Sequence, residues 1–252
     1  MANERQINSE RSPWWGEHLQ RYQVVEKAIG IEDSVLDLAC GSGYGASILS
    51  RRTKGKVTGG DVSAETVRRC SQEWNSQPNL EFKVLDGTRL EFPDNTFDKV
   101  VSFETIEHTR EFEKMLSEFN RVLKPGGIIF LSTPNITVNS PGGLVTNPYH
   151  TQEFDFTQFS GIVKKYFSSP AFFGQKYIRY SGSVKPKVRF AHLAENLFYR
   201  RMVRKLPIGL RDSVMRILIG KPLYPLPDDY SLVSEEPEIR KCKTLFAICK
   251  KI

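Results

Sequence analysis

The sequence predicts an α/β fold: a seven-stranded, mostly parallel sheet with helices on both faces and a helical insertion before the last strand. Three observations predict it. Short apolar runs alternate with amphipathic stretches of about ten residues, as βαβ units require. The first run ends in a glycine turn, CGSGYGAS (Cys40–Ser47), that opens a helix. A segment rich in Lys and Arg then interrupts the pattern between the sixth and seventh strands.

Each element has its own local reason. Gly16–Gly30 reads as a helix because Leu19, Tyr22, Val25 and Ala28/Ile29 recur every three to four residues. Ser34–Ala39 is a buried strand and Gly43–Arg52 the helix after it. Lys56–Asp61 is a second strand. Ser63 caps a helix reaching about Trp74, with Glu65 in its first turn. Leu80–Leu85 is the third strand. Phe97–Phe103 is the fourth, entered from the turn Pro93–Asp94–Asn95. Glu111–Leu123 is a helix stopped by Lys124–Pro125–Gly126–Gly127, and Ile128–Ser132 is the fifth strand. Thr133–Asn147, rich in Pro, Gly and Asn, reads as loop, Phe156–Phe167 as helix and Ala171–Tyr180 as the sixth strand. Phe190, Leu193, Leu197 and Phe198 carry helical spacing up to a break at Pro207. Leu210–Ile219 is a short helix, Lys221–Pro237 loop, and Thr244–Lys250 the last strand.

The chain of 252 residues is 39% hydrophobic and 26% charged, enough apolar residue for a sizeable core. No run approaches the roughly 18 apolar residues of a membrane span. MANERQINSERSPWW lacks the apolar core of a signal peptide, so a cytoplasmic location is expected. Cys40, Cys70, Cys242 and Cys249 form no C-x-x-C pair and read as reduced, packed thiols. The net charge is +7, and its source is local. Between Gly182 and Tyr230, ten basic residues face four acidic ones, which accounts for six of the seven charges.

Gly41, Gly43 and Ala46 satisfy the G-x-G-x-x-G/A pattern of a dinucleotide site. Asp61, twenty residues past Gly41, stands where an acid binds the two hydroxyls of an adenosine ribose. Asp37 argues against a dinucleotide: a fixed carboxylate before the turn repels a pyrophosphate. It suits a ligand that is cationic there, such as S-adenosylmethionine, which joins adenosine to a sulfonium and an ammonium. Asp86-Gly87-Thr88, at the end of the third strand, is placed to accept from an adenine amino group.

The ordered set DLACGSGYG, GGDVS, LDG, FDKVVSFETIEH and RVLKPGGIIFLSTPN resembles the class I, Rossmann-like S-adenosylmethionine-dependent methyltransferases. The match runs from about Trp14 to Phe173 and resumes at Thr244–Lys250. The resemblance implies a single domain over residues 1–252: a lid helix at 1–30, a cofactor-binding core at 31–180, a basic helical insertion at 182–240 and the final strand at 244–250. It implies that Asp37 and the backbone from Ala39 to Gly41, with Gly43, hold the amino-acid part of S-adenosylmethionine. Asp61 would take the ribose, Val62 would lie against the adenine, and Asp86, Gly87 and Thr88 would edge it. Phe103 and Glu104 would line the methionine side. WWGEHLQRY looks like a lid helix, with Tyr22 and His18 placed to close over the cofactor; His18 also reads as a helix-surface residue.

Methyl transfer to a hydroxyl requires positioning and removal of a proton. His150 and Glu153, in NPYHTQEF, follow the fifth strand at the carboxyl edge of the sheet, where acceptors bind in open α/β folds. Histidine titrates near neutrality, and a neighbouring carboxylate orients it, so this pair suits a general base. The competing reading is a histidine that shapes the loop. His108, in FETIEH, is a second candidate base or a structural residue, and His192 reads as a solvated helix residue. No metal is expected, because the four histidines lie far apart and no H-E-x-x-H pattern occurs.

STPN with NPYH-x-x-EF is similar to a subgroup linked to sugars and surface polysaccharides, which makes O-methylation of a sugar or glycan the expected reaction. A small metabolite or carrier-bound acyl group is the alternative, and a non-catalytic cofactor-binding partner subunit the remote one. Arg200, Arg201, Arg204 and Lys205 suggest an anionic acceptor, an anionic membrane surface, or only a solvated helix face. Nucleic acid is not the expected partner, since few aromatics beyond Phe198 and Tyr199 interleave with the charges.

Overall fold

The computed structural model describes residues 14–140, 142–178, 210, 213 and 224–252. Helix α1 spans Trp15–Glu26. It is followed by β1 (Val35–Leu38), α2 (Tyr44–Ser50), β2 (Val57–Asp61), α3 (Ala64–Glu73), β3 (Leu80–Val84) and β4 (Phe97–Phe103). Then come α4 (Phe112–Val122), β5 (Leu123–Pro134), α5 (Ile136–Asn139), α6 (Phe156–Tyr166), β6 (Phe167–Tyr177), β7 (Tyr230–Val233) and β8 (Thr244–Lys251).

The strands form one mixed sheet in the order β3-β2-β1-β4-β5-β8-β6-β7. The first five are parallel to their neighbours, and β8 is antiparallel to both β5 and β6. β1 and β2 are buried along their whole length, as strands covered by helices on both faces must be. On α4, Met115, Leu116, Phe119 and Val122 are buried at helical spacing and join Leu36, Val100, Ile129, Phe159 and Leu245 in the main core. The order reverses at β1, whose neighbours are β2 and β4. Ligands of open α/β sheets bind at this switch point, outside the carboxyl ends of the strands.

Of the described residues, Arg21–Lys176 and Leu232–Ile252 form one compact unit. A second takes in Trp14–Gln20, hence His18, together with Tyr177–Ile178 and Tyr224–Ser231. Inside the second unit the Tyr177 and Tyr230 rings lie 5.3 Å apart, and Ile178 donates its N–H to the Asp229 carbonyl at 2.8 Å.

Several expectations are corrected. The sheet has eight strands, not seven: Tyr230–Val233 lies in a proline-rich stretch read as loop. A four-residue strand at a sheet edge carries too short a pattern to stand out. β5 begins at Leu123, so Lys124–Gly127 belongs to the strand. Gly126, at φ +77°, and a register shift between Phe97 and Lys99 absorb the irregularity. β6 begins at Phe167, with a second shift between Ser168 and Ala171. The expected loop after the fifth strand contains α5, capped by Asn135, whose side chain accepts from the Thr137 N–H. Most of the expected helical insertion, including His192, Arg200, Arg201, Arg204 and Lys205, lies outside the described residues.

Candidate active site

The turn after β1 is built on positive φ: Ala39 at 61°, Gly41 at 55° and Gly43 at 75°. The two glycines are required for different reasons. A Cβ on Gly43 would meet the Phe82 ring at 2.7 Å, whereas one on Gly41 would meet nothing within 4 Å. Gly41 thus offers bare backbone on the open side of the turn. Gly45, in the first turn of α2, lies against Tyr22: a Cβ there would fall 2.0 Å from the ring. The Tyr22 hydroxyl donates to Asp37 at 3.1 and 3.2 Å to its two oxygens. Tyr22 also meets Tyr44 and Phe103 edge-on, at 5.4 and 5.1 Å.

Asp37 is 1% exposed. Burial raises its carboxyl to about 7, although the Tyr22 hydroxyl and the Ala46 N–H pull the other way. Asp61, at the end of β2, is 5% exposed and accepts the Ser63 N–H at 2.9 Å. The next residue, Val62, is 65% exposed, a large apolar side chain left open beside a buried carboxylate. Asp86 accepts the N–H and the hydroxyl of Thr88, both at 2.8 Å, which hold its carboxyl below the usual range. A Cβ on Gly87 would sit 2.6 Å from a Leu38 methyl, so that side chain would have to shift. Three carboxylates at successive strand ends, open backbone at Gly41 and an exposed Val62 fit a ligand with an ammonium, a diol and a flat apolar ring.

β4 runs into a polar seam. Glu104, at φ +50°, accepts the Ser132 hydroxyl at 2.6 Å and lies 3.7 Å from the Arg21 guanidinium. Arg21 is 1% exposed, donates to Gln175 at 2.6 Å and lies over the Phe103 ring at 5.6 Å. The carboxylate of Glu107, in the 3-10 turn Ile106–His108, is fully buried. Its Oε2 accepts the Thr133 hydroxyl at 2.9 Å, and its Oε1 has no hydrogen-bond partner among the described residues. Burial, reinforced by the Glu104 charge, pushes its carboxyl well above the usual range.

The two candidate bases, 42 residues apart in the chain, meet here: the His108 and His150 rings lie edge to face, 4.9 Å between centroids. Tyr149 accepts through its carbonyl from His108 Nδ1 at 3.0 Å. His150 Nδ1 lies 2.7 Å from Glu153 Oε1, and Glu153 Oε2 accepts the Ser140 hydroxyl at 2.8 Å. Carbonyl and carboxylate oxygens only accept, so Nδ1 carries a proton in both rings, and in a neutral ring Nε2 keeps the lone pair. His150 Nε2 faces the Asn147 amide at 3.0 Å. The loop is tied to the turn through the Glu107 carbonyl, which accepts from Thr151 and Gln152. His150, His108 and Glu153 therefore form one cluster, with Glu107, Ser140 and Asn147 added to it. Arg21 and Glu107 escaped the sequence reading because each lies among other polar residues, in HLQRYQ and ETIEHT, where nothing along the chain marks a charge that the fold buries.

Residues 36–131 match the family described as methyltransferase domain. A protein of Mycolicibacterium smegmatis named as a probable S-adenosylmethionine-dependent methyltransferase is 32% identical over 62% of this chain and 59% of its own length. A sterol 24-C-methyltransferase of Eremothecium gossypii is 32% identical over 58% of this chain and 40% of its own. The chain thus spans less than two thirds of the length of these relatives. The fold is shared with the YcgJ protein of Bacillus subtilis, with a TM-score of 0.60 at 19% identity over 93% of this chain and 99% of that one. The fold is Rossmann-like, and residues 36–131 are similar to the methyltransferase-domain family. The relatives it matches are named for methyl transfer, one of them for dependence on S-adenosylmethionine.

Proposed function

We propose that the protein methylates a hydroxyl oxygen of a sugar or glycan. The observation that carries this reading is the cluster of His150, Glu153 and His108 at the carboxyl edge of the sheet. Proton-removing machinery is needed where the acceptor is a hydroxyl. S-adenosylmethionine, when bound, supplies the electrophilic methyl group. Asp37 and the turn at Ala39–Gly43 would hold its amino-acid end, Asp61 its ribose, and Val62, Asp86, Gly87 and Thr88 its adenine. Phe103 and Glu104 would line its methionine side. Tyr22, with its hydroxyl on Asp37, closes the inner wall and keeps water from that carboxylate. Glu153 holds the imidazole of His150 so that Nε2 takes the acceptor proton once the Asn147 amide yields.

The sugar assignment draws on the STPN and NPYH-x-x-EF segments. A second reading, a small acceptor with an apolar part, draws on the similarity to a sterol methyltransferase. The exposed Leu144, Val145 and Tyr149 on the His150 loop favour it too. Arg200, Arg201, Arg204 and Lys205, which lie outside the described residues, supply positive charge for an anionic acceptor or an anionic membrane. Cosedimentation with anionic liposomes at low salt, reversed at high salt, checks the membrane form of that idea. No helix among the described residues is long and apolar enough to cross a membrane.

Incubation with methyl-labelled S-adenosylmethionine and a fractionated cell extract tests the main reading. Base-stable label in glycan or lipid-linked sugar is the expected result. Label only in protein, nucleic acid or sugar-free metabolites would overturn it.

A further inference from the structure

We infer that Glu107, His108 and His150 form a binding site for a divalent first-row transition-metal ion. A carboxylate oxygen of Glu107 and one ring nitrogen from each histidine all lie within 4.8 Å of one another. Two imidazoles and one carboxylate on one side of an ion, with the other positions open, suit Mn²⁺, Fe²⁺, Co²⁺ or Zn²⁺. Ligand bonds of about 2.1 Å require the three groups to close by roughly an ångström. The exposed ring of His108 and the loop of His150 can supply that movement.

Two independent features single this cluster out. Glu107 Oε1 is buried and unpartnered among the described residues, a costly state for a carboxyl group that a bound cation removes. Both histidines are also pre-set as ligands. Each is held through Nδ1–H by an outer acceptor, the Tyr149 carbonyl or the Glu153 carboxylate. Metal-bound histidines are fixed in this way, because the outer bond sets the tautomer and aims the Nε2 lone pair. His108 Nε2 has that lone pair available, and His150 Nε2 gains the ion in exchange for the Asn147 amide. Glu153, itself anchored by Ser140, is a positioning residue for the site.

The consequence deepens the proposed function and rests on it, whereas ion binding itself does not. With an ion in place His150 Nε2 is a ligand and gives up the proton-accepting role it has in the ion-free site. An acceptor hydroxyl on an open coordination position then gives its proton to solvent more readily, since the ion lowers its pKa.

The test uses the full-length protein stripped with chelator, then titrated with Co²⁺ and with Mn²⁺. Calorimetry should give one ion per chain, and Co²⁺ should develop the visible absorption of a nitrogen- and oxygen-ligated site. His108→Ala, an exposed position, should lose the band and at least tenfold in affinity. Glu107→Gln, which keeps shape and removes charge, should do the same. Glu153→Gln should weaken binding by about 10- to 100-fold with the ligand band retained. Absence of saturable binding, or binding unchanged in His108→Ala, overturns the site. Saturable binding by a protein that labels no hydroxyl acceptor upholds the site and removes the O-methylation reading. O-methylation undiminished after chelation, with no ion bound, removes the site and leaves that reading intact.

Discussion

The two halves of the candidate site are built in opposite ways. On the cofactor side, at the ends of β1, β2 and β3, most determinants are local. Asp37, the glycine turn, Asp61 and the Asp86 turn each lie within a few residues of a strand end, and backbone geometry does most of the shaping. On the acceptor side, beyond β4 and β5, few determinants are local. Glu107 and His108 meet His150 and Glu153 across some forty residues of chain, and side chains hold one another in place. A site made of backbone turns suits a ligand that stays the same. One made of loop side chains can be rebuilt around a different acceptor without disturbing the sheet.

Four measurements break or sharpen that contrast. The largest effect is expected at the acceptor side: His150→Ala should lower kcat by about 10²- to 10⁴-fold, the usual range for proton-transfer groups. Calorimetry should show S-adenosylmethionine binding unchanged; a matching loss of affinity would falsify the division. Next, Asp61→Ala should weaken S-adenosylmethionine by about 10- to 100-fold, the loss of a charged hydrogen bond, and the check is the dissociation constant. Rates at saturating cofactor should move little.

A smaller effect comes from pH. Asp37 is neutral below about 7 in the protein and must ionise to meet an ammonium, so binding releases a proton. Affinity should be complete above about pH 7 and fall by up to tenfold per unit below it. Asp37→Asn should flatten that slope, and a slope that persists in the variant assigns it to another group. The smallest effect is Gly41→Ala. Space exists for the Cβ, but a left-handed φ costs an alanine roughly 1–2 kcal/mol. A melting temperature lower by only a few degrees is expected, against a much larger loss for Gly45→Ala, where Tyr22 must be displaced.

The sequence reading reached the core strands to within a residue or so wherever both faces are buried. Thr244–Lys251 shows this, since burial leaves the uninterrupted apolar run Leu245–Cys249. It lost accuracy at the sheet's edge and at bulges. There the short Tyr230–Val233 strand and the Lys124–Gly127 entry to β5 carry turn-forming residues inside extended backbone. The candidate base His150 was found from its loop context. Its distance in sequence from His108 spoke against a shared ligand set, and the fold closes that distance.

What the sequence determined by itself is what depends on neighbours along the chain. That covers the alternation of strands and helices, the positive-φ turn that needs glycine, and acids at three strand ends. The tertiary structure alone decided which distant groups share a desolvated space. It set Arg21 beside Glu104, buried Glu107 without a partner for Oε1 among the described residues, and brought two histidines to 4.9 Å. The physical reason is that burial and electrostatic coupling depend on separation in space, and chain order fixes that separation only after the sheet has formed.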